Sequence, residues 1–303
     1  MPMRFDLSDL LLFVRVAEAG SITQGAARAH RSLAAASVQI REMEQSLGVP
    51  LLVRDRLGVT PTGAGRALLQ HSYKLLNGMQ LLKDEMSEYA DRLKGYVKVY
   101  SNSASLMEFL VQPLAQFLIR NPAVDVSVEE IANHLIVDAV AQGKADFGIV
   151  SEPVDKKALE AVPFCVDRYV VVAARDGPLQ DGATVAFEEL LDFDFVGLGR
   201  GTWTQVLLED LARQKGKVFR HRAQLRGFDV ACRLAADGAG VALVPERTAR
   251  RAQLGMPINL VHLSDGWASI PMVLCKLRNA DLSVHAQSLI RFLTVEGAAP
   301  DAG

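Results

Sequence analysis

The sequence is poor in cysteine, and the three it has, Cys165, Cys232 and Cys275, form no CxxC pair. An odd count without that spacing argues against a disulfide framework and against a zinc site, and all three are read as small buried core residues. Long apolar runs are missing too. No stretch approaches the ~20 residues that span a bilayer. In MPMRFDLSDLLLFVRVAEAG, charges at Asp6, Asp9 and Arg15 interrupt the apolar pattern that a secretory signal requires. A cytoplasmic location with no membrane partner is therefore expected. Catalytic signatures are absent as well: there is no GxSxG, no HExxH and no P-loop lysine, and the histidines at 30, 71, 134, 221, 262 and 285 are scattered. Gly197, Gly199 and Gly201 in VGLGRGTWTQ miss the GxGxxG spacing of a dinucleotide site. Neither an enzyme activity nor a cofactor is expected.

What is present is organised in blocks. A chain of 303 residues suggests two or three domains. Its charge is uneven. Residues 1–66 hold eight Arg, no Lys and six acids, a balance of +2, so with −2 overall the remainder carries −4. The N-terminal module is mildly basic. Within it, Leu10, Phe13, Val14 and Ala17 fall on one helix face. Asp6 or Ser8 can cap that helix, and Gly20 stands where a left-handed C-terminal residue belongs. Thr23 can cap a second helix, through Ala29, and Ser32 a third. The apolar face of the third is Ala36, Ile40, Met43 and Leu47, and Gly48 ends it. Short helices this closely spaced predict a helix-turn-helix. VPLLVRDRLGVTPT follows, with β-prone pieces at Leu51–Val53 and Val59–Thr60 around a charged turn, the pattern of a two-stranded wing.

Over 62–93, Leu68, Ser72, Leu75, Met79, Leu82, Met86, Tyr89 and Leu93 alternate spacings of four and three. Such a stripe suits a coiled-coil seam or a long helix packed on its own domain. The polar flanks (Lys74, Gln80, Lys83, Asp84, Glu85 and Glu88) favour an exposed helix with a partner, most simply a second copy of the chain. From Gly95 onward the grammar becomes strand–helix alternation. Strand candidates are Tyr96–Ser101, Val124–Glu129, Asp146–Val150, Tyr169–Ala174, Phe193–Gly197, His221–Arg226, Val241–Val244 and Ile270–Leu277. The expectation is α/β layering with a mainly parallel sheet, and about 200 residues of it suggest two subdomains with a cleft.

These segments together resemble the LysR-type transcriptional regulators. The likeness lies in FVRVAEAGSIT, the Ser32–x–x–Ala–x–Ser37 helix, LGVPLLVR, TPTGAG, and the later GKADFGIV (143–150) and ADGAGVALVP (236–245). The resemblance implies an α/β protein with an all-α winged helix-turn-helix N-terminal domain, a long linker helix and a periplasmic-binding-protein-like effector domain of two α/β subdomains. The boundaries read as 1–61, 62–94 and 95–303, the last divided into about 95–165 with 269–303 and about 166–268. It further implies binding of double-stranded promoter DNA, a small-molecule effector, and a dimer or tetramer paired through Leu68, Leu75, Met79, Leu82 and Met86. The chain departs from the family pattern at Leu33 and Ala34, where Gln-Pro is common, at Val38 for Arg, and at Leu52 for Phe.

If Ala36, Ile40, Met43 and Leu47 face the core, the opposite face carries Ala34, Ser37, Val38, Arg41 and Gln45. Ala34 and Val38 offer contacts to thymine methyls. Ser37 suits a base edge or a phosphate, and Arg41, one turn on, can reach either. Ser32 reads as a cap, with phosphate binding through that cap as the alternative. Arg54 and Arg56 flank the wing turn and suit the minor groove or backbone, while Arg31 is a phosphate clamp or an exposed side chain. With Val38 in place of Arg, readout should lean on thymine methyls, the wing and DNA shape.

Two strand-to-helix junctions mark the candidate effector cleft. One is YSNSAS, with Ser101, Asn102, Ser103 and Ser105; the other is VGLGRGTWTQ, with Arg200 and Thr202. Hydroxyls and an amide at a helix start fit either a cap or an anion site. Asn133 is expected to cap the helix that follows it, and Phe147–Val150 and Phe228 to supply walls. Helix N-termini with one Arg favour an anionic effector. Crossings between subdomains are expected near Cys165–Asp167 and Trp267–Ser269.

Overall fold

The computed structural model describes residues 5–56, 58–89, 95–151, 159–198, 203–225, 227–278 and 281–296. Three helices come first: α1 (Leu7–Ala19), α2 (Ile22–Arg28) and α3 (Leu33–Leu47). Asp6 begins α1. Its Oδ1 accepts from the Ser8 and Asp9 amides at 2.7 and 3.1 Å, and the Asp9 carboxylate in turn accepts from the Asp6 amide at 2.9 Å, a reciprocal capping box. The cap of α2 is Ser21 rather than Thr23: Ser21 has the extended backbone a cap needs and accepts from the Gln24 amide, whereas Thr23 already lies inside the first turn. Ser32 caps α3 through the Ala35 amide at 3.2 Å, and Gly48 ends it at φ 70°. α1 and α2 cross so closely that a Cβ at Gly25 would sit 2.3 Å from the Val16 Cα. Around that crossing lie Leu10, Phe13, Val16, Ala36, Ile40, Met43, Leu51 and Val59.

The wing is an antiparallel pair, β1 (Leu52–Asp55) and β2 (Gly58–Pro61), with Arg54 opposite Val59. α4 (Gly63–Tyr89) then leaves the domain. Its first turns pack in part on the first three helices. Leu68 and Leu69 pack against the core of the first three helices, and buried Ser72 donates to the Leu68 carbonyl at 2.7 Å. Leu68, expected in the pairing stripe, is thus partly covered by its own domain. Leu75, Met79, Leu82 and Met86 stand open to solvent. Leu93 lies outside the described residues.

The remainder runs β3 (Gly95–Ser101), a short α5 (Ser103–Ser105), a π turn (Leu106–Leu110), α6 (Val111–Arg120), β4 (Val124–Glu130), α7 (Asn133–Ala141), β5 (Phe147–Ser151) and β6 (Leu159–Ala174). It continues with β7 (Thr184–Val185), α8 (Phe187–Leu190), β8 (Phe195–Leu198), α9 (Trp203–Gln214), β9 (His221–Leu225), α10 (Phe228–Ala236), β10 (Ala242–Pro245), α11 (Glu246–Gln253), β11 (Ile258–Leu263), β12 (Ser269–Leu277) and α12 (Val284–Arg291).

The main sheet has the order β4-β3-β5-β12-β6-β11-β7, with β10 also on β6. It is mixed rather than mainly parallel. β3 runs parallel to β4 and β5, but β12 is antiparallel to β5 and β6, and β10 and β11 are antiparallel to β6. The cause is that β6 leads the chain out of one lobe and β12 brings it back, so the two run in opposite directions. The first part of β6 pairs with β12, down to Arg168 opposite Ser269; the part from Tyr169 onward pairs with β10 and β11. One strand is thus common to both lobes. Val97, Val99, Phe147, Ile149 and Leu274 pack the first lobe, and Val170, Val172, Ala231, Val244 and Leu260 a face of the second.

Candidate functional site

The outward face of α3 carries exposed Ser32, Ala34, Val38 and Arg41, with Ser37 half-buried, while Ala36, Ile40 and Met43 are fully buried behind them. Gln39 holds the helix in place by donating to the Asp9 carboxylate on α1. Arg41 lies along its own helix, its Nε donating to the Ser37 carbonyl at 3.1 Å. Arg31 reaches back to α1, its Nη2 donating to Ser8 Oγ at 3.0 Å. The wing is fixed to the far end of α3 by Glu44, whose Oε1 accepts from the Leu51 and Leu52 amides at 2.8 and 3.2 Å. Its other oxygen lies 4.0 Å from Arg54. Arg56 is exposed in the turn. Arg66, given no role from the sequence, donates to the Pro61 carbonyl at 3.0 Å where the wing meets α4. Leu33 and Val53 are exposed apolar residues of the same domain that periodicity did not single out.

In the α/β region, β3, β4 and β5 are parallel, and polar side chains gather at their carboxyl ends, where open α/β sheets hold ligands. Asn102 caps α5, its Oδ1 accepting from the Ser105 amide at 2.8 Å. Its Nδ2 donates to Asn133 Oδ1 at 3.1 Å. Asn133 is not a cap; Ala132 holds that position, and Asn133 is the first residue of α7. From there its side chain turns to β5, with Oδ1 accepting from the Ser151 amide at 2.9 Å and Nδ2 donating to the Ser151 carbonyl at 3.2 Å. Ser101 is buried and donates to the Asn102 carbonyl at 3.2 Å, and Ser103 donates to the Glu130 carboxylate. Four of the residues singled out from the sequence thus lie at one place, Ser101 and Asn133 bonded to Asn102, with further bonds to Glu130, Ser105 and Ser151. Arg200 and Thr202 lie outside the described residues. Phe228 meets Tyr169 edge to face, with ring centroids 6.3 Å apart.

A second polar cluster had no sequence signal. Glu108, on the π turn, is buried and accepts from Arg251 through both oxygens and from Thr248 Oγ1 at 2.6 Å. Arg247 donates to the Glu108 carbonyl at 3.2 Å, and its guanidinium lies 4.6 Å from the Phe109 ring centroid. Asp167 on β6 is buried close by, and among the described residues its Oδ2 has no hydrogen-bond partner. Burial, then the Glu108 charge, push its pKa up to about 8. Some 140 residues separate Glu108 from its partners (|i−j| of 140 and 143), so no local pattern could announce them.

Comparison with known proteins decides what this arrangement belongs to. Residues 7–66 match the bacterial regulatory helix-turn-helix protein, lysR family, and residues 90–297 match the LysR substrate binding domain. The chain belongs to the LysR family. This LysR-type protein is a DNA-binding transcriptional regulator with an effector-binding domain, as the sequence resemblance implied. It is 26% identical to the RuBisCO operon transcriptional regulator of Acidithiobacillus ferrooxidans over 80% of this chain and 79% of that protein. Its fold is similar to that of a full-length OxyR variant from Pseudomonas aeruginosa (TM-score 0.72, 19% identity, 97% and 95% of the two chains). It is also similar to CbnR, solved in complex with its target DNA (TM-score 0.63, 20% identity, 97% and 100%). Among the described residues, no helix of this LysR-type regulator is long and apolar enough to cross a membrane.

Proposed function

We propose that this regulator acts in the cytoplasm as a dimer on an approximately palindromic promoter site, with tetramers formed by further contacts between effector domains. The observation that carries this reading is the outward face of α3, where Ala34, Ser37, Val38 and Arg41 look away from a core that buries Ala36, Ile40 and Met43. A helix so presented suits the major groove, with Arg54 and Arg56 of the wing against the backbone or minor groove. Ser32 and Arg31 serve at the helix start. Pairing through Leu75, Met79, Leu82 and Met86 sets two such helices in two-fold relation, which calls for inverted half-sites. On this reading residues 1–61 act on DNA, 62–94 form the linker and 95–303 sense the effector.

The effector is a small anion held between the Ser101–Ser103 turn with Asn133 on one lobe and Arg200 with Thr202 on the other. Strand carboxyl ends and the α5 start support the location, and Arg200 the charge. Two experiments test this function. Full-length protein should select duplexes with an inverted repeat from a random pool; unselective binding would sink the DNA reading. Calorimetric titration should find carboxylate compounds that bind the wild type and lose affinity in Arg200→Ala. Tight binding only to neutral or cationic compounds, unchanged in that variant, would overturn the ligand class.

A further inference from the structure

We propose that Tyr73 is the positioning residue that couples the effector cleft to the helix-turn-helix domain, with α7 as the rod between them. This rests on the DNA-binding and effector-sensing reading above. Tyr73 lies on α4 and is buried, although Lys74 and Leu75 beside it are exposed. Its hydroxyl donates to Glu18 Oε1 at 2.9 Å, near the end of α1. The second Glu18 oxygen lies 3.6 Å from Arg15. Burial, then the Glu18 charge, hold the phenol well above its ordinary pKa, so it stays a donor.

The same ring meets the effector-binding domain. Lys144 Nζ sits 5.2 Å from its centroid. One turn further along α4, Asn77 Nδ2 donates to the Gly143 carbonyl at 2.6 Å. A single turn of α4 therefore touches the DNA-binding domain on one side and the effector-binding domain on the other.

Gly143 and Lys144 follow α7 after Gln142, and α7 begins at Asn133. Asn133 is tied to Asn102 at the cleft and to the end of β5. A nine-residue helix spans ~13 Å at about 1.5 Å per residue. A ligand that draws on Asn102 or Asn133 therefore shifts the far end of α7 against Tyr73. The contacts are continuous from cleft to α1, which supplies a physical route for coupling.

Hydrogen exchange of full-length Tyr73→Phe, which loses one oxygen, should show about fivefold faster exchange in both 7–19 and 133–146, as loss of one ordinary hydrogen bond allows. Exchange in 203–225 should not change. On a duplex selected from the random pool and labelled at both ends, Tyr73→Phe should keep wild-type affinity but alter the end-to-end distance. Glu18→Ala, which removes the acceptor in the other domain, should reproduce both effects. Acceleration confined to 7–19, or an unchanged end-to-end distance, would overturn the coupling role and leave Tyr73 a local packing residue. If no duplex is selected by any variant, the DNA reading fails, and the exchange experiment still decides the coupling.

Discussion

Arg251 clasps both carboxylate oxygens of Glu108 at 2.8 Å, joining α11 of one lobe to the π turn of the other. The two partners are unequally placed. The Glu108 side chain is 1% exposed and that of Arg251 54%. Removing Arg251 strands a buried carboxylate with Thr248, among the described residues, as its remaining side-chain donor. Removing Glu108 lets the guanidinium turn to water. Arg251→Ala should therefore cost more than Glu108→Gln, about 1–3 kcal/mol after allowance for solvent around the guanidinium. Urea unfolding of the two variants checks the order; a larger loss in Glu108→Gln would contradict it.

Asp167 gives the effector-binding domain a pH dependence of known sign. Its folded pKa, raised by burial and then by the Glu108 charge to about 8, lies above the ordinary carboxylate value. The folded protein holds this proton more tightly than the unfolded chain. Stability is therefore fully present below the unfolded pKa and is lost as pH rises towards 8. Asp167→Asn should remove that slope, since an amide has no proton to lose. Melting temperatures at pH 5 and pH 9 should diverge less in the variant than in the wild type, at about 2–4 °C per kcal/mol for a domain of this size. Equal slopes would show that Asp167 is solvated as it titrates.

Arg41 and Arg54 should fail in different ways on DNA. Arg41→Ala should cost about 1–3 kcal/mol of discrimination between selected and random duplexes, the loss of one base-edge contact. Arg54→Ala should weaken both duplexes alike and lower the salt slope by about one unit, the mark of a phosphate contact. Fluorescence anisotropy across a salt series separates the two patterns. Parallel loss in Arg41→Ala would move it to the backbone and leave recognition to Ser37, apolar contacts and DNA shape.

The open stripe on α4 gives a test of assembly. Leu82→Asp places a charge in the middle of Leu75, Met79, Leu82 and Met86, and should shift the protein towards monomer in sedimentation velocity. Leu68→Asp should act otherwise. Leu68 packs on its own domain, so that change should lower the melting temperature of the helix-turn-helix region first. A monomer with an unchanged melting temperature in Leu68→Asp would restore that residue to the interface.

The helices and their ends were readable because helix periodicity and capping are local. Asp6, Gly20, Ser32 and Gly48 act within a turn of where they stand. Thr23 misled because Ser21 and Thr23 are both hydroxyl residues, and only backbone conformation distinguishes the cap from the first turn. Leu68 marks another limit: a stripe shows that a surface must be covered, not by which surface, and part of Leu68 lies against its own domain. Strand β11 went unnoticed, and the sheet was expected to be mainly parallel, because strand–helix alternation does not record direction. At the carboxyl end of β3, Ser101, Asn102 and Ser103 lie beside Asn133, which the residue types had singled out together. Their partners were not legible, since Asn133 acts through Ser151 and Asn102. The Glu108 cluster was beyond reach, because its members meet only after the second lobe closes back on the first.

The position of β12 fixes an order of events during synthesis. Its residues, 269–277, lie inside the sheet between β5 and β6, so the first lobe stays open until nearly the whole chain exists. The helix-turn-helix needs nothing beyond the first turns of α4. At about 5–20 residues per second, the interval from residue 89 to residue 277 lasts roughly 10–40 s. For that interval a nascent regulator carries a finished DNA-binding head and no finished sensor, so a ribosome stalled within it would hold a protein able to reach DNA yet unable to hear its signal.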